Sequence, residues 1–189
     1  MICIEPAFFF FGALLFLTLP LPWVLGACFS ALIHELCHLT AVLLLKGQVR
    51  WIRVGFGGAE IQADLSGDGC RLVAALAGPV GSLGLLLLWN SLPWAAVCGL
   101  IQGLFNLLPI EPLDGSVALR SCLTILCPER APILADAAQW AAGFLVFFAA
   151  LAVRWVCSWE HWVVFAGMIP LLMVIRRKIP CKQGKNAVQ

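Results

Sequence analysis

The chain has 189 residues, of which 62% are hydrophobic and only 12% are charged, whereas about a quarter of the residues in a typical soluble domain are charged. Its formal net charge of +2 is too small to indicate a surface that binds nucleic acid. The composition therefore excludes an ordinary soluble domain and indicates one integral membrane domain over residues 1–189.

Apolar stretches, taken in chain order, predict about six membrane-spanning helices, because a helix that crosses a bilayer needs about 20 predominantly apolar residues. The first two stretches overlap and the fourth is short. No basic residue precedes Phe8 and no clear cleavage site follows it, so we expect the first stretch to remain as a span rather than to act as a secretory signal. The stretches lie at 7–26, 23–45, 72–90, 94–108, 133–153 and 161–175.

Basic residues concentrate in three parts of the chain that six spans would place on the same side of the membrane. Short loops rich in Lys and Arg stay in the cytoplasm. We therefore expect a multi-pass protein of the cell membrane with both termini cytoplasmic, and we interpret the basic tail at 176–189 as a topology anchor. The other basic residues on that side are Lys46, Arg50, Arg53, Arg71, Arg120 and Arg130.

A small β-hairpin is predicted between the second and third spans, in VRWIRVGFGGAEIQADL at 49–65. Apolar and polar residues alternate over 59–65, which is the period of a strand, and Gly57-Gly58 can form the tight turn. The predicted fold is thus an all-α membrane protein with one small hairpin, which lies at the cytoplasmic interface. An exposed strand edge there can hold an extended peptide by backbone hydrogen bonds.

The second predicted span contains HELCH at 34–38. His34 and His38 are four residues apart, so a helix projects both from one face, ~6 Å apart along its axis. With Glu35 beside the first histidine this is the HExxH arrangement, in which two imidazoles bind zinc and the glutamate acts as general base. The alternative is a chance match, or histidines that only hydrogen-bond within a bundle. A charged carboxylate at membrane depth costs roughly 2.5–3.5 kcal/mol, and this cost favours a metal site.

A second polar interruption, NLLPIEPLDGS at 106–116, offers a third ligand for the metal. Its candidates are Asn106, Glu111 and Asp114, and its two prolines prevent a regular helix. We expect Glu111 to face water. Asp114 precedes a glycine that permits a tight turn and Ser116, which is typical of a helix start. Taken alone, Asp114 also fits an ordinary turn or helix-capping residue.

HELCH in an early apolar helix together with NLLPIEPLDG in a later one resembles the site-2 protease family of intramembrane zinc metalloproteases. The segment ALAGPVGSLG at 75–84 is also similar to a small-residue helix of that family. The resemblance covers roughly 23–120, the expected catalytic core. It implies that His34, His38 and Asp114 hold one zinc ion, that Glu35 is the general base and that Asn106 helps to hold or polarise the substrate.

The family resemblance also implies partners for the protein. The substrate would be a membrane-associated protein cut in or near a transmembrane segment. The compact form is similar to the sporulation branch of the family, whose members process membrane-associated precursors of transcription factors. We expect the active site to open to the cytoplasm, and a regulatory membrane partner fits the same picture. Apart from these proteins the expected partner is the lipid bilayer.

Two other functions use the same residues. A non-proteolytic membrane partner or chaperone would keep zinc for structure and close its fourth coordination position. Cys37 is the local candidate for that position, and the direction of its side chain on an ideal helix does not exclude it. A small ion transporter would use the polar residues as an ion path.

Overall fold

The computed structural model describes residues 2–4, 6–55 and 58–157. The predicted sixth span at 161–175 and the basic tail at 176–189 lie outside this part of the chain. The described residues form three strands and six α-helices, and a short 3₁₀ turn at Leu85–Leu88 extends the third helix. The elements are β1 (Ile2–Ile4), α1 (Pro6–Thr18), α2 (Leu21–Leu44), β2 (Gln48–Gly55), β3 (Gly58–Asp64), α3 (Asp68–Gly84), α4 (Pro93–Asn106), α5 (Asp114–Leu126) and α6 (Ala131–Cys157).

The helices confirm the predicted all-α membrane fold with a small hairpin. Within the described ranges, the segments long and apolar enough to cross a membrane are Leu21–Leu44, Asp68–Leu88 and Ala131–Ala152. The predicted first and fourth spans are helices of 13 and 14 residues, shorter than the ~20 residues that a full crossing requires. The overlap between the first two predicted spans is resolved at Pro20, which precedes α2 and cannot donate to a helix running through it.

Side chains are distributed as expected for a protein surrounded by lipid. On α2, Leu25, Leu32 and Leu36 are exposed, whereas Ser30 and His34 on the same helix are buried. Soluble proteins show the opposite preference, and helices in a bilayer turn their polar groups toward one another. This distribution places the chain in a membrane.

Close helix packing at small residues brings α2, α3 and α4 together. α2 contacts both α3 and α4, and α3 also contacts α5. A Cβ atom on Gly26 of α2 would lie 2.9 Å from the backbone of Trp94, and one on Gly99 of α4 would lie 2.5 Å from the carbonyl oxygen of Ser82. Such contacts allow helix backbones to approach closely, as is common between membrane helices. They bring the faces of α2, α3 and α4 that carry polar residues next to one another.

The sheet has the order β1-β2-β3, with β1 parallel and β3 antiparallel to the central strand β2. Gly58 pairs with Gly55 and so belongs to β3. Gly57, the other residue of the predicted turn, lies outside the described residues. Arg50 is an extra residue between the paired positions Val49 and Trp51, which is a β-bulge. Residues 61–66 alternate between half-buried and exposed, as the sequence period predicts.

Candidate metal centre

The two histidines of HELCH lie near the middle of α2, where the helix is uninterrupted. Their Nε2 atoms are 3.1 Å apart, and the His34 side chain is almost completely buried. His34 is 13 residues from Leu21 and ten from Leu44, or ~20 Å and ~15 Å along the helix axis. The pair therefore lies deep within the apolar bundle, as the sequence predicts.

α3 fixes both imidazole rings through their Nδ1 atoms. His38 Nδ1 lies 2.8 Å from the carbonyl oxygen of Ala74, and His34 Nδ1 lies 2.9 Å from the hydroxyl oxygen of Ser82. Because a carbonyl only accepts hydrogen bonds, His38 carries a proton on Nδ1, and in its neutral form Nε2 keeps a free lone pair. Ligating histidines usually have such an outer partner, which sets the tautomer and the ring orientation.

The His38 ring also occupies space that is free only because Gly78 has no side chain. A Cβ atom on Gly78 would lie 2.1 Å from His38 Nε2 and 2.5 Å from its Cδ2, closer than any real contact permits. The ring therefore packs directly against the backbone of α3. Pro79 follows and has no N–H for the carbonyl of Ala75, so the helix lacks one internal hydrogen bond next to the carbonyl that His38 uses.

Asp114 completes the group from the other side. Its Oδ2 atom lies 3.0 Å from His34 Nε2 and 3.1 Å from His38 Nε2. Asp114 is the first residue of α5, 80 residues after His34 in the chain. The structure thus brings together all three side chains for which the family resemblance implies a role as zinc ligands.

The stretch 107–113 that leads to Asp114 is not helical and is held by short-range backbone hydrogen bonds and by packing. Ile110 is fully buried and forms an apolar cluster with Leu113, together with Ala142 and Trp140 of α6. A Cβ atom on Gly115 would lie 2.2 Å from the carbonyl oxygen of Leu107, so the chain folds back on itself where only glycine fits. This tight fold places the carboxylate against the histidines.

An ion pair also joins the stretch 107–113 to α5. Arg120 Nη2 lies 3.0 Å from Glu111 Oε1. Glu111 is 31% exposed in its side chain, so the expectation that it faces water holds only in part. The Arg120 charge, which the sequence predicts in a cytoplasmic connection, thus joins α5 to the stretch that precedes Asp114.

The donor set fits a zinc ion. His34 Nε2, His38 Nε2 and Asp114 Oδ2 are separated by 3.0 to 3.1 Å, close to the ~3.3 Å between ligands of a tetrahedral zinc with bonds of about 2.0–2.1 Å. Three such atoms repel one another unless a cation or a proton lies between them. Two imidazoles and one carboxylate form a ligand set used by catalytic zinc, which keeps a further position open.

The other predicted site residues are not members of this group. Glu35 follows His34 on α2 and is half-buried. Asn106 is the last residue of α4, also half-buried, and its side chain makes no hydrogen bond within the described residues. Cys37 directs its sulfur at α3, because a Cβ atom on Gly81 would lie 2.2 Å from Sγ. The metal-binding group in the described part of the chain therefore has three members.

Sequence reasoning missed the partners of the histidine rings. Ser82 is a polar residue inside an apolar span, and such a residue is a functional candidate by itself. Nothing in the sequence indicates which ring it meets, since it is 48 positions from His34. The carbonyl of Ala74 carries no sequence signal at all, because every residue has one.

Comparison with known proteins identifies the architecture. A solved structure, the site-2 protease from Methanocaldococcus jannaschii, is similar with a TM-score of 0.60 at 19% sequence identity, over 93% of this chain and 89% of that chain. The chain has the fold of a site-2 protease. This confirms the fold that the two sequence motifs imply. No protein-family model and no curated protein matches the sequence.

Proposed function

We propose that the protein is a zinc-dependent intramembrane endopeptidase of the site-2 type. The observation that carries the proposal is the convergence of His34 Nε2, His38 Nε2 and Asp114 Oδ2 within 3.1 Å of one another on an HExxH helix inside an apolar bundle. The site-2 protease fold supports it. A hydrolytic metal centre also explains why a carboxylate at Glu35 is kept where charge is costly.

Each residue has a role in the proposed hydrolysis. When bound, zinc supplies Lewis-acid chemistry that polarises a carbonyl and makes water a better nucleophile. Glu35 takes the proton of the attacking water and passes it to the leaving amine. Asn106, whose amide has no hydrogen-bond partner among the described residues, donates to the substrate carbonyl as negative charge develops there. Ser82 and the Ala74 carbonyl hold the histidine rings in place.

The proposed substrate is a membrane-associated protein cut in or near a transmembrane segment, and a transcription-factor precursor fits the compact form. A helical peptide bond is shielded, so the substrate must be extended before attack. Within the described residues β3 pairs only with β2, and the outer edge of β3 can hold an extended peptide. A regulatory membrane partner belongs to the same proposal.

The test of this function uses purified full-length protein in nanodiscs with a panel of single-span reporters that carry helix-breaking residues. The wild type is expected to cleave at least one reporter, and a zinc chelator to stop it. Glu35→Gln should abolish cleavage while zinc stays near one ion per chain. Full activity of that variant would refute the assigned base.

The metal group in the described residues favours a protease over a chaperone. A chaperone that keeps zinc for structure would close the fourth position, yet the group has three members in the described part of the chain and the Cys37 sulfur packs against α3. An ion transporter would show no chelator-sensitive cleavage of any reporter. That single assay separates the protease from both rivals.

We also propose that the site opens to the cytoplasm and that both termini lie there, on the basis of the basic residues between the predicted spans. In a functional background that lacks the nine native cysteines, Glu111→Cys should react with a membrane-impermeant thiol reagent added to the cytoplasmic face. Labelling only from the opposite face would show that the topology is inverted.

A further inference from the structure

We propose that Gln102 is a substrate-binding residue whose side-chain amide holds an unwound stretch of the substrate backbone, on the side of the metal centre that faces away from the sheet. The proposal rests on the proposed proteolytic function and adds a second anchoring point for the same substrate. Its ligand is a backbone carbonyl group of a transmembrane segment that has lost its helical hydrogen bonds.

The position of Gln102 follows from its contact with α2. Ser30 lies one turn before His34 and is fully buried, and its hydroxyl donates a hydrogen bond to Gln102 Oε1 at 2.5 Å. Ser30 is therefore ~6 Å from His34 along the axis of α2. The sheet follows the other end of α2, so Ser30 and Gln102 lie on the side of His34 that is farther from the sheet.

In the described part of the chain, the Gln102 amide uses its oxygen in a hydrogen bond but not its NH₂ donors. Its oxygen accepts from Ser30, which orients the amide, and within the described residues the side-chain NH₂ group makes no hydrogen bond. The residue is only half-buried, so this group is not sealed inside the protein. Asn106 lies four residues later on α4, hence on the same helix face. The two amides form a polar row on α4, and Gln102 lies opposite Ser30 of α2.

The chemistry of the reaction needs a partner in this position. A substrate helix that unwinds for cleavage exposes N–H and C=O groups on both sides of the scissile bond, and such groups are costly inside a membrane without partners. The edge of β3 serves only the side near the sheet. On the other side, Gln102 offers an N–H donor to a peptide carbonyl at the depth where water is scarce. A glutamine that only joined α2 and α4 through its oxygen would have no use for the NH₂ group, which its half-buried position leaves accessible.

Steady-state cleavage of an accepted reporter tests the proposal. Gln102→Met keeps the length of the side chain and removes both polar groups, and it is expected to raise KM about 10-fold, the effect of one lost hydrogen bond of ordinary strength. Zinc content and kcat should change little. Ile101→Ala, at an exposed position of the same helix, is the matched control with KM near wild type. A KM for Gln102→Met equal to that of the control would overturn the proposal.

A backbone substitution in the reporter distinguishes substrate binding from helix packing. Synthetic reporters carry a single ester in place of one amide bond, at successive positions on the side away from the sheet, because an ester carbonyl is a weaker acceptor. One position should raise KM several-fold for the wild type and have no further effect in Gln102→Met or in Gln102→Glu, which lacks the NH₂ donors. Equal penalties in wild type and both variants would refute the contact. Failure of wild type to cleave any reporter would instead refute the proposed protease function.

Discussion

The metal centre has two halves, which differ in how the fold holds their ligands. His34 and His38 belong to one continuous helix, and α3 fixes both rings through a buried hydroxyl and a backbone carbonyl. Asp114 follows a non-helical stretch that is held by short-range backbone hydrogen bonds, by apolar packing against α6 and by a partly exposed ion pair. In the first half, hydrogen bonds and close contact with α3 orient the two histidine ligands. In the second half, the conformation of the loop 107–113 positions the Asp114 ligand.

Removal of a ligand from either half is expected to have the largest effect. His34→Ala and Asp114→Ala should each weaken zinc binding by more than about 100-fold, since loss of an outer partner alone typically costs 10–100-fold. Zinc per chain after equilibration with a competing chelator measures this. Asp64→Ala, which removes an exposed aspartate of the sheet, should retain full zinc. Unchanged metal content in both ligand variants would refute the assignment.

Added volume at Gly78 tests whether the first half depends on contact with α3. In Gly78→Ala the new methyl group would meet the His38 ring at 2.1 Å, so the ring must leave its position. We expect zinc affinity to fall roughly 10- to 100-fold, the equivalent of the ~1–3 kcal/mol that overpacking costs. Gly84→Ala on the same helix, where a Cβ meets nothing within 4 Å, is the control. Equal zinc affinity in the two variants would show that the contact is not needed.

The Ser82 hydroxyl contributes a smaller share to the same half. Ser82→Ala removes the partner of His34 Nδ1 and should weaken zinc binding about 10-fold, at the lower end of the range for outer partners of metal-bound histidines. The measurement is a chelator titration. Ser121→Ala, which truncates a buried serine of α5, should leave affinity unchanged. An equal loss in both serine variants would indicate a general packing defect.

Breaking the ion pair of the second half should have the smallest effect. The Glu111 and Arg120 side chains are 31% and 44% exposed, and exposed pairs contribute about 0–1 kcal/mol. Glu111→Gln or Arg120→Gln should therefore change zinc affinity less than about 5-fold. Exchange of the two charges, Glu111→Arg with Arg120→Glu, should restore most of that loss. A 100-fold loss in either single variant would mean that the ion pair, rather than packing of Ile110 and Leu113, holds the loop.

The same contrast explains what the sequence could predict. The pairing of His34 with His38 depends only on helical periodicity, and the alternation over 61–65 depends only on the period of a strand, so both are predictable locally. The convergence of Asp114 with the histidines depends on how α5 packs against α3. It could be predicted only from the resemblance to a family, because no local pattern in the sequence indicates it.

Other features lacked a local signal for physical reasons. β1 has three residues, too few to show a period, and it pairs in parallel with residues some 50 positions away. α5 begins with a charged residue and contains Arg120, so its sequence does not predict an apolar membrane span. The contact between Ser82 and His34 depends on the rotation of two helices about their axes, which the sequence of either helix alone does not set.

X-ray absorption at the zinc edge of the zinc-loaded wild-type protein reports the identity of the metal ligands. We expect two imidazole nitrogens and light oxygen ligands at about 2.0–2.1 Å, with no sulfur ligand at about 2.3 Å. A sulfur ligand in the wild-type spectrum, or a spectrum with no imidazole contribution, would contradict the assignment of His34, His38 and Asp114 as the metal site.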